Sequence, residues 1–349
     1  MEQREPSGRR KLIRARRTES ANEGRKPGIR ARRGPRAWLT AVGVLFPIVL
    51  TSLLCFVPFY ALALIRLLVP WRPLRRICIH LLLAIARLWG FVVRDVLRAM
   101  LPTRFRIAGV ARLGRHEWYL IIANHQSWVD ILVLFIALHG KVPFFRFFMK
   151  RELLWLPFFG IALWALDFPA MRRYSREHLE RHPEDRGRDL DTVRRACEKF
   201  QRAPVTLVNF VEGTRFSEEK RVEQESPYRA LLRPKSGGLA LVLAAMGERL
   251  SAILDVTIAY PASGVDFWRF VSGQIPWIEV DVDRVDPPSR LTSRSDGDSP
   301  EYRDAVRAWI QERWSRKDAL MQHNREGEVG EPSSLQPAGP GRIQPPIEH

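Results

Sequence analysis

From Leu39 to Ile65 the chain carries no charged residue. About 20 apolar residues suffice to cross a bilayer, so this run, LTAVGVLFPIVLTSLLCFVPFYALALI, is long enough to enter a membrane. A core helix of a soluble domain rarely stays uncharged for so long. Pro47 and Pro58 fall inside the run, and each removes a helical hydrogen bond and favours a kink or break. Arg66, Arg72, Arg75 and Arg76 follow, and then a second apolar stretch from Ile77 to Leu97 that contains His80, Arg87, Arg94 and Asp95. Residues 1–37 hold 13 Lys and Arg against 4 Asp and Glu, half of the net charge of +18.

Basic flanks tend to stay cytoplasmic. A single crossing at 39–65 would export either the basic arm or the four-arginine linker. A kinked hairpin that dips in and returns keeps both on one side. The second stretch, with its internal charges, suits a helix lying along the headgroups. The expected organisation is a disordered basic arm over 1–36, a membrane-associated helical segment over 37–98, a folded domain over 99–324 and a disordered tail over 325–349. Three scattered cysteines, Cys55, Cys78 and Cys197, argue against a disulfide framework or a cysteine metal site. An excess of positive charge admits nucleic acid as a partner, but no nucleic-acid module follows the arm.

From Phe105 onward, strand-like runs alternate with helical ones, the pattern of an α/β domain. WYLIIAN, PVTLVNFVEG, AILDVTIAYP and WIEVDVDRV read as strands. WVDILVLFIALHG and GGLALVLAAMGERL read as helices, and a last amphipathic helix starts at Ser299-Pro300, a cap followed by proline at the first helical position.

The first strand run ends at Asn124 and His125, with Asp130 five residues beyond His125. Residues five apart on an unbroken helix do not face each other. His125 and Asp130 therefore meet only across a turn, which the strand-to-helix switch supplies. A carboxylate on one ring nitrogen would fix the tautomer and leave the other nitrogen free to accept a proton. Ser127 opens a rival Ser-His-Asp reading, although no G-x-S-x-G elbow accompanies it. A second strand ends in Glu212-Gly213-Thr214-Arg215, where glycine admits close backbone approach and arginine offers a fork suited to phosphate.

Taken together, these blocks resemble the glycerolipid acyltransferases, and in particular the 1-acylglycerol-3-phosphate acyltransferases. NHxxxxD is matched by Asn124, His125 and Asp130, and F-P-E-G-T-R-S by Phe210, Glu212, Gly213, Thr214 and Arg215. K-x-E-L-x-x-x-P-x-x-G is matched by Lys150, Glu152, Leu153, Pro157 and Gly160, and IAYP, ending at Pro261, resembles the fourth motif. Val211 and Phe216 stand where that family usually has proline and serine, which resembles a bacterial branch. The resemblance implies a mixed sheet flanked by helices, preceded by an N-terminal membrane helical segment. It implies His125 as general base oriented by Asp130. It places Lys150, Arg172, Arg173, Glu212, Gly213, Thr214 and Arg215 at the substrate, with backbone N–H groups near Glu212-Gly213 as oxyanion donors. The aromatic stretch FFRFFMKRELLWLPFFGIALWAL would serve in part as acyl-chain tunnel and membrane-facing surface, in part as core. No metal and no cofactor are expected. Acyl-CoA or acyl carrier protein would be co-substrate, lysophosphatidic acid the acceptor and membrane lipid the surroundings. No nucleic-acid partner is expected, and the site would be the cytoplasmic face of a bacterial inner membrane.

Overall fold

The computed structural model describes residues 34–171, 203–262, 264–292 and 299–326, together with 181, 193, 194, 197 and 200. All but the last three residues of the expected basic arm and nearly all of the expected tail lie outside the described residues, and Pro35 and Arg36, assigned to the arm, begin the first helix. Two long helices come first, α1 (Pro35–Leu68) and α2 (Arg72–Met100). They form an antiparallel hairpin, tied midway by Trp89 Nε1 donating to Ser52 Oγ at 2.9 Å and near the bend by Arg75 Nε donating to the Val69 carbonyl at 3.1 Å. The turn-back expected inside 39–65 is absent: α1 runs straight through Pro47 and Pro58, and the return limb is the second apolar stretch. Helices at membrane depth tolerate proline where a neighbouring helix and Ser or Thr hydroxyls support the interrupted ladder. Here α2 packs along the length of α1, with Trp89 of α2 reaching Ser52 between the two prolines.

The domain that follows is built on a six-stranded sheet. Its strands in chain order are β1 (Arg104–Ala108), β2 (Tyr119–Ala123), β3 (Phe145–Phe147), β6 (Thr206–Phe210), β7 (Ala252–Ala259) and β8 (Trp277–Val285). Their spatial order is β1-β8-β7-β2-β6-β3. β2 lies parallel to both β6 and β7, and β7 meets β8 antiparallel, so the sheet is mixed. A separate two-stranded ribbon pairs β4 (Met149–Lys150) with β5 (Ala170–Met171). The remaining helices are α3 (Val129–Leu138), α4 (Phe159–Ala165), α5 (Glu218–Glu223), α6 (Ser236–Met246), α7 (Phe267–Val271), α8 (Ser289–Thr292) and α9 (Pro300–Glu326).

The sheet is covered on both faces. Side chains Tyr119, Ile121 and Ala123 pack with α3 and the C-terminal half of α2. Leu120 and Ile122 face the opposite way, toward α6 and α9. All five β2 residues are fully buried, which explains an unbroken apolar run rather than an alternating one. Burying each large aliphatic side chain contributes about 1.5–3 kcal/mol. Gly90 lets α2 approach the end of α3, since a Cβ there would lie 2.6 Å from the His139 ring. Ser299 accepts from Tyr302 N at 3.2 Å, the cap read from the sequence.

Candidate active site

β2 ends at Ala123 and α3 begins at Val129, so residues 124–128 form the turn that the His-Asp spacing required. Asn124 fixes the start of the turn. Its side chain donates to the Ile258 carbonyl and accepts from Ile258 N, both at 2.8 Å, clamping the end of β2 to β7. His125 Nδ1 lies 2.8 Å from Asp130 Oδ2. The imidazole stacks on Phe210 from the end of β6, ring centres 4.2 Å apart. It remains 14% exposed, whereas Asp130 is fully buried.

A buried carboxylate is stable only when it is hydrogen-bonded. Asp130 Oδ2 also accepts from Gln126 N at 2.6 Å and Ser127 N at 2.9 Å. Oδ1 accepts from the Tyr260 hydroxyl at 2.6 Å. Burial, and then the adjoining Asp130 charge, push the Tyr260 phenol far above its ordinary value, so it stays a donor. With Nδ1 committed to Asp130, Nε2 is the ring nitrogen left to accept a proton. Tyr260 was part of the quoted IAYP block, but its role needed the fold, which brings the end of β7 beside the start of α3. The Ser-His-Asp alternative is excluded by geometry: Ser127 Oγ donates to the Val265 carbonyl at 2.7 Å and accepts from Val129 N at 3.2 Å.

The Glu-Gly-Thr-Arg turn lies beside His125, joined by Phe216 N donating to the His125 carbonyl at 2.7 Å. Gly213 has φ +69°, a conformation that favours glycine. Its N–H is taken by the Phe210 carbonyl at 2.9 Å, so this group is not a free oxyanion donor. Glu212 is completely buried behind the turn. Backbone N–H groups of His125 and Leu232 point toward it, but neither carboxyl oxygen closes a hydrogen bond among the described residues. Burial pushes this carboxyl well above the usual range, and the Asp130 charge adds to the shift against the opposing pull of Lys317. Such a group organises the turn from within. Arg215 is exposed, with its guanidinium 4.9 Å from the centre of the Trp128 ring. Lys220, not singled out in the sequence, donates to Thr214 Oγ1 at 2.7 Å and to the Arg215 carbonyl at 3.1 Å. It comes from α5, a short helix among closely spaced charged residues. Lys235 reaches the same turn, its Cδ 3.2 Å from where a Cβ on Gly213 would sit. Lys150 lies on β4, its side chain outside the described set, and Arg172 and Arg173 fall outside the described residues altogether. Among the described residues, no three His, Cys, Asp or Glu side chains gather as a metal site.

Behind the turn, α9 supports the site through charge. Arg313 Nε meets Asp255 Oδ2 at 2.8 Å, and Lys317 Nζ meets Asp255 Oδ1 at 2.6 Å. Asp318 accepts from Arg229 N at 3.1 Å and Ala230 N at 2.8 Å, and Gln126 Nε2 donates to the Ala230 carbonyl at 3.1 Å. The loop over 226–233 thus links α9 to the residue after His125. On the other flank, an apolar cavity of about 480 Å³ lies between α1 and α4, lined by Tyr60, Leu64, Leu154, Ile161 and Trp164. Trp155 and Phe158 stand beside it in the open, 85% and 60% exposed.

Residues 104–261 match the acyltransferase family. A 1-acyl-sn-glycerol-3-phosphate acyltransferase 2 from Arabidopsis thaliana is 27% identical over 225 residues, 60% of this chain and 52% of that protein. A lysocardiolipin acyltransferase 1 from Danio rerio is 26% identical over 220 residues, 59% of this chain and 52% of that protein. The chain therefore spans about half the length of these curated relatives. The crystal structure of a 1-acyl-sn-glycerophosphate acyltransferase from Thermotoga maritima superposes with a TM-score of 0.47 at 17% identity, covering 85% of this chain and 98% of that one. The matched stretch reaches from β1 to the residue after Tyr260 and holds both the His125–Asp130 pair and the Glu-Gly-Thr-Arg turn, so the candidate site lies wholly within the part of the chain that is similar to the acyltransferase family.

Proposed function

We propose that the protein is a membrane-associated O-acyltransferase that acylates the free hydroxyl of 1-acylglycerol-3-phosphate, giving phosphatidic acid. The observation that carries this reading is the His125–Asp130 pair, its proton-accepting nitrogen uncommitted, beside an exposed turn that gathers Arg215, Lys220 and Lys235. The acceptor phosphate pairs with these cations, Arg215 as a planar fork and the lysines as point charges. Lys150, Arg172 and Arg173 are further candidates for that role.

His125 Nε2 takes the hydroxyl proton as the oxygen attacks the thioester carbonyl of acyl-CoA or acyl carrier protein. The C–O bond forms, the tetrahedral oxyanion collapses and the C–S bond breaks. The leaving thiolate takes the proton back from the imidazolium, so His125 ends as it began and no acyl-enzyme is needed. The charge of Asp130 stabilises the imidazolium in between. The cavity between α1 and α4 is of a size and character to hold a fatty chain. Two helices long and apolar enough to cross a bilayer support membrane association. Arg72, Arg75 and Arg76 at the bend suit a hairpin lying along the headgroups at the cytoplasmic face of a bacterial inner membrane rather than one that drives its bend into the bilayer.

The test uses membranes containing the protein, labelled acyl-CoA and acyl carrier protein thioesters, and a panel of acceptors headed by lysophosphatidic acid. Wild type makes phosphatidic acid and His125→Ala makes none. Acylation of a different lysophospholipid, dependent on His125, would retain the chemistry and replace the acceptor. Acylation of none would sink the reading.

A further inference from the structure

A cavity of about 420 Å³ opens far from His125. It is lined by Arg87 from α2, Arg115 from the segment before β2, Arg146 from β3 and His139 from the end of α3. The ten residues of α3 separate it from the His125–Asp130 turn, about 15 Å at 1.5 Å per residue. Pro204, just before β6, also lines it, which places it beyond the opposite ends of the strands that deliver the active-site turns.

Its chemistry is one-sided. His80 and His116 join the three arginines, and among the described residues no carboxylate lines the cavity. Arg146 is 8% exposed, its Nε donating to the Leu166 carbonyl at 3.0 Å and its guanidinium over the Phe200 ring at 4.9 Å. Burial draws Arg146 down to about 10, with Asp167 opposing and Arg87 and Arg66 adding to the shift, so it remains a cation at neutral pH. Asp167 is itself engaged with Arg66 at 2.9 Å. His139 Nε2 donates to the Arg87 carbonyl at 3.0 Å. Burial, with Arg94, Arg87 and Arg115 nearby, holds the His139 ring below its ordinary range. Like charges gathered in a concave, part-buried site repel unless an anion enters. The rest of the lining is apolar, including Leu83, Phe91, Val142 and Phe144. His80, Leu83, Arg87 and Phe91 fall on one stripe of α2, and the same helix exposes Ile77, Leu81 and Leu88 beside them. A cationic cavity flanked by an exposed apolar helix suits a ligand with an anionic head and a fatty body.

We propose that this cavity is a second phosphate site, separate from the acceptor site, that takes the headgroup of a net-anionic glycerophospholipid whose acyl chains lie along α2. The proposal rests on the membrane-associated reading of the hairpin and not on the catalytic one.

The experiment is arginine footprinting of the full chain in a neutral detergent, with phenylglyoxal labelling read peptide by peptide by mass spectrometry. Dihexanoyl phosphatidylglycerol is expected to slow labelling of Arg87 and Arg115 roughly five-fold at about four times its Kd, the occupancy that mass action gives. Dihexanoyl phosphatidylcholine is expected to leave both unchanged, and Arg307, exposed on α9, to be unchanged throughout. In Arg87→Gln the protection of Arg115 is lost. Protection by inorganic phosphate but not by the lipid overturns the lipid assignment in favour of a free anion. No protection by either, or protection of Arg215 alone, overturns the site. Protection of Arg87 and Arg115 in a protein that acylates nothing leaves this inference standing while the catalytic reading falls.

Discussion

Asp130 and Glu212 are both buried carboxyls beside one histidine, and their surroundings separate their roles. Asp130 collects three hydrogen bonds besides His125, two from backbone N–H groups and one from Tyr260. A hydrogen bond to a charged group contributes about 1.5–3 kcal/mol, so Tyr260→Phe is expected to lower kcat by roughly ten-fold or more while KM stays near wild type. Steady-state acyl transfer, with the thermal midpoint as a folding control, checks this; an unchanged kcat removes Tyr260 from the mechanism. Glu212 closes no such bonds. Because burial raises its folded-state value, the folded protein holds a proton that the unfolded chain has released. Stability is therefore lost as pH rises above the unfolded carboxyl range of about 4.3. Glu212→Gln is expected to raise the unfolding midpoint at neutral pH, with the gain shrinking toward pH 4. An equal gain at all pH values would mean that Glu212 is not proton-linked. The His125–Asp130 pair was legible from spacing, since only a turn can join residues five apart. Tyr260 and Lys220 were not, because one arrives from β7 and the other from a one-turn helix inside a charged loop.

At the scale of elements, the strands at the site and the helix after β2 could be read from unbroken apolar runs and their stopping residues. The two proline-bearing turns of α1 could not, because proline's local penalty is offset here by α2. Helix α9 read correctly as an amphipathic helix with its cap at Ser299, but its buried side also carries three charged residues, Arg313, Lys317 and Asp318. Arg313 and Lys317 close on Asp255 of β7, the strand that leads directly into Tyr260. Removing one member of a buried charge set costs about 3–5 kcal/mol, mostly by stranding its partners. Asp255→Ala is therefore expected to lower the midpoint steeply, and Asp255→Asn to recover part of the loss. Thermal unfolding of both variants tests the order; equal midpoints would show that packing of α9, not charge, holds β7 in place.

For the whole molecule, the uncharged run from Leu39 to Ile65 falls in a helix long and apolar enough to cross a bilayer, and the domain covers little of it: Leu53 and Leu54 are 63% and 69% exposed. A lysine at the centre of a bilayer helix is disfavoured by about 2.5–3.5 kcal/mol. Replacing both leucines with lysine is expected to shift the protein from the membrane to the soluble fraction in flotation, with the circular dichroism of the domain unchanged. Retention in the membrane would assign anchoring elsewhere. The sheet has one further consequence. Its edge strand β1 has a single partner, β8, so Arg104 waits for Trp277 before it can pair. Parallel pairing across so long a stretch of chain slows folding, because loop-closure entropy is lost before the contact is gained. During synthesis the hairpin is complete and able to settle at a bilayer while β1 still lacks its neighbour. On the membrane reading proposed for the hairpin, anchorage comes before closure, and the nascent domain spends its slowest phase held at a surface.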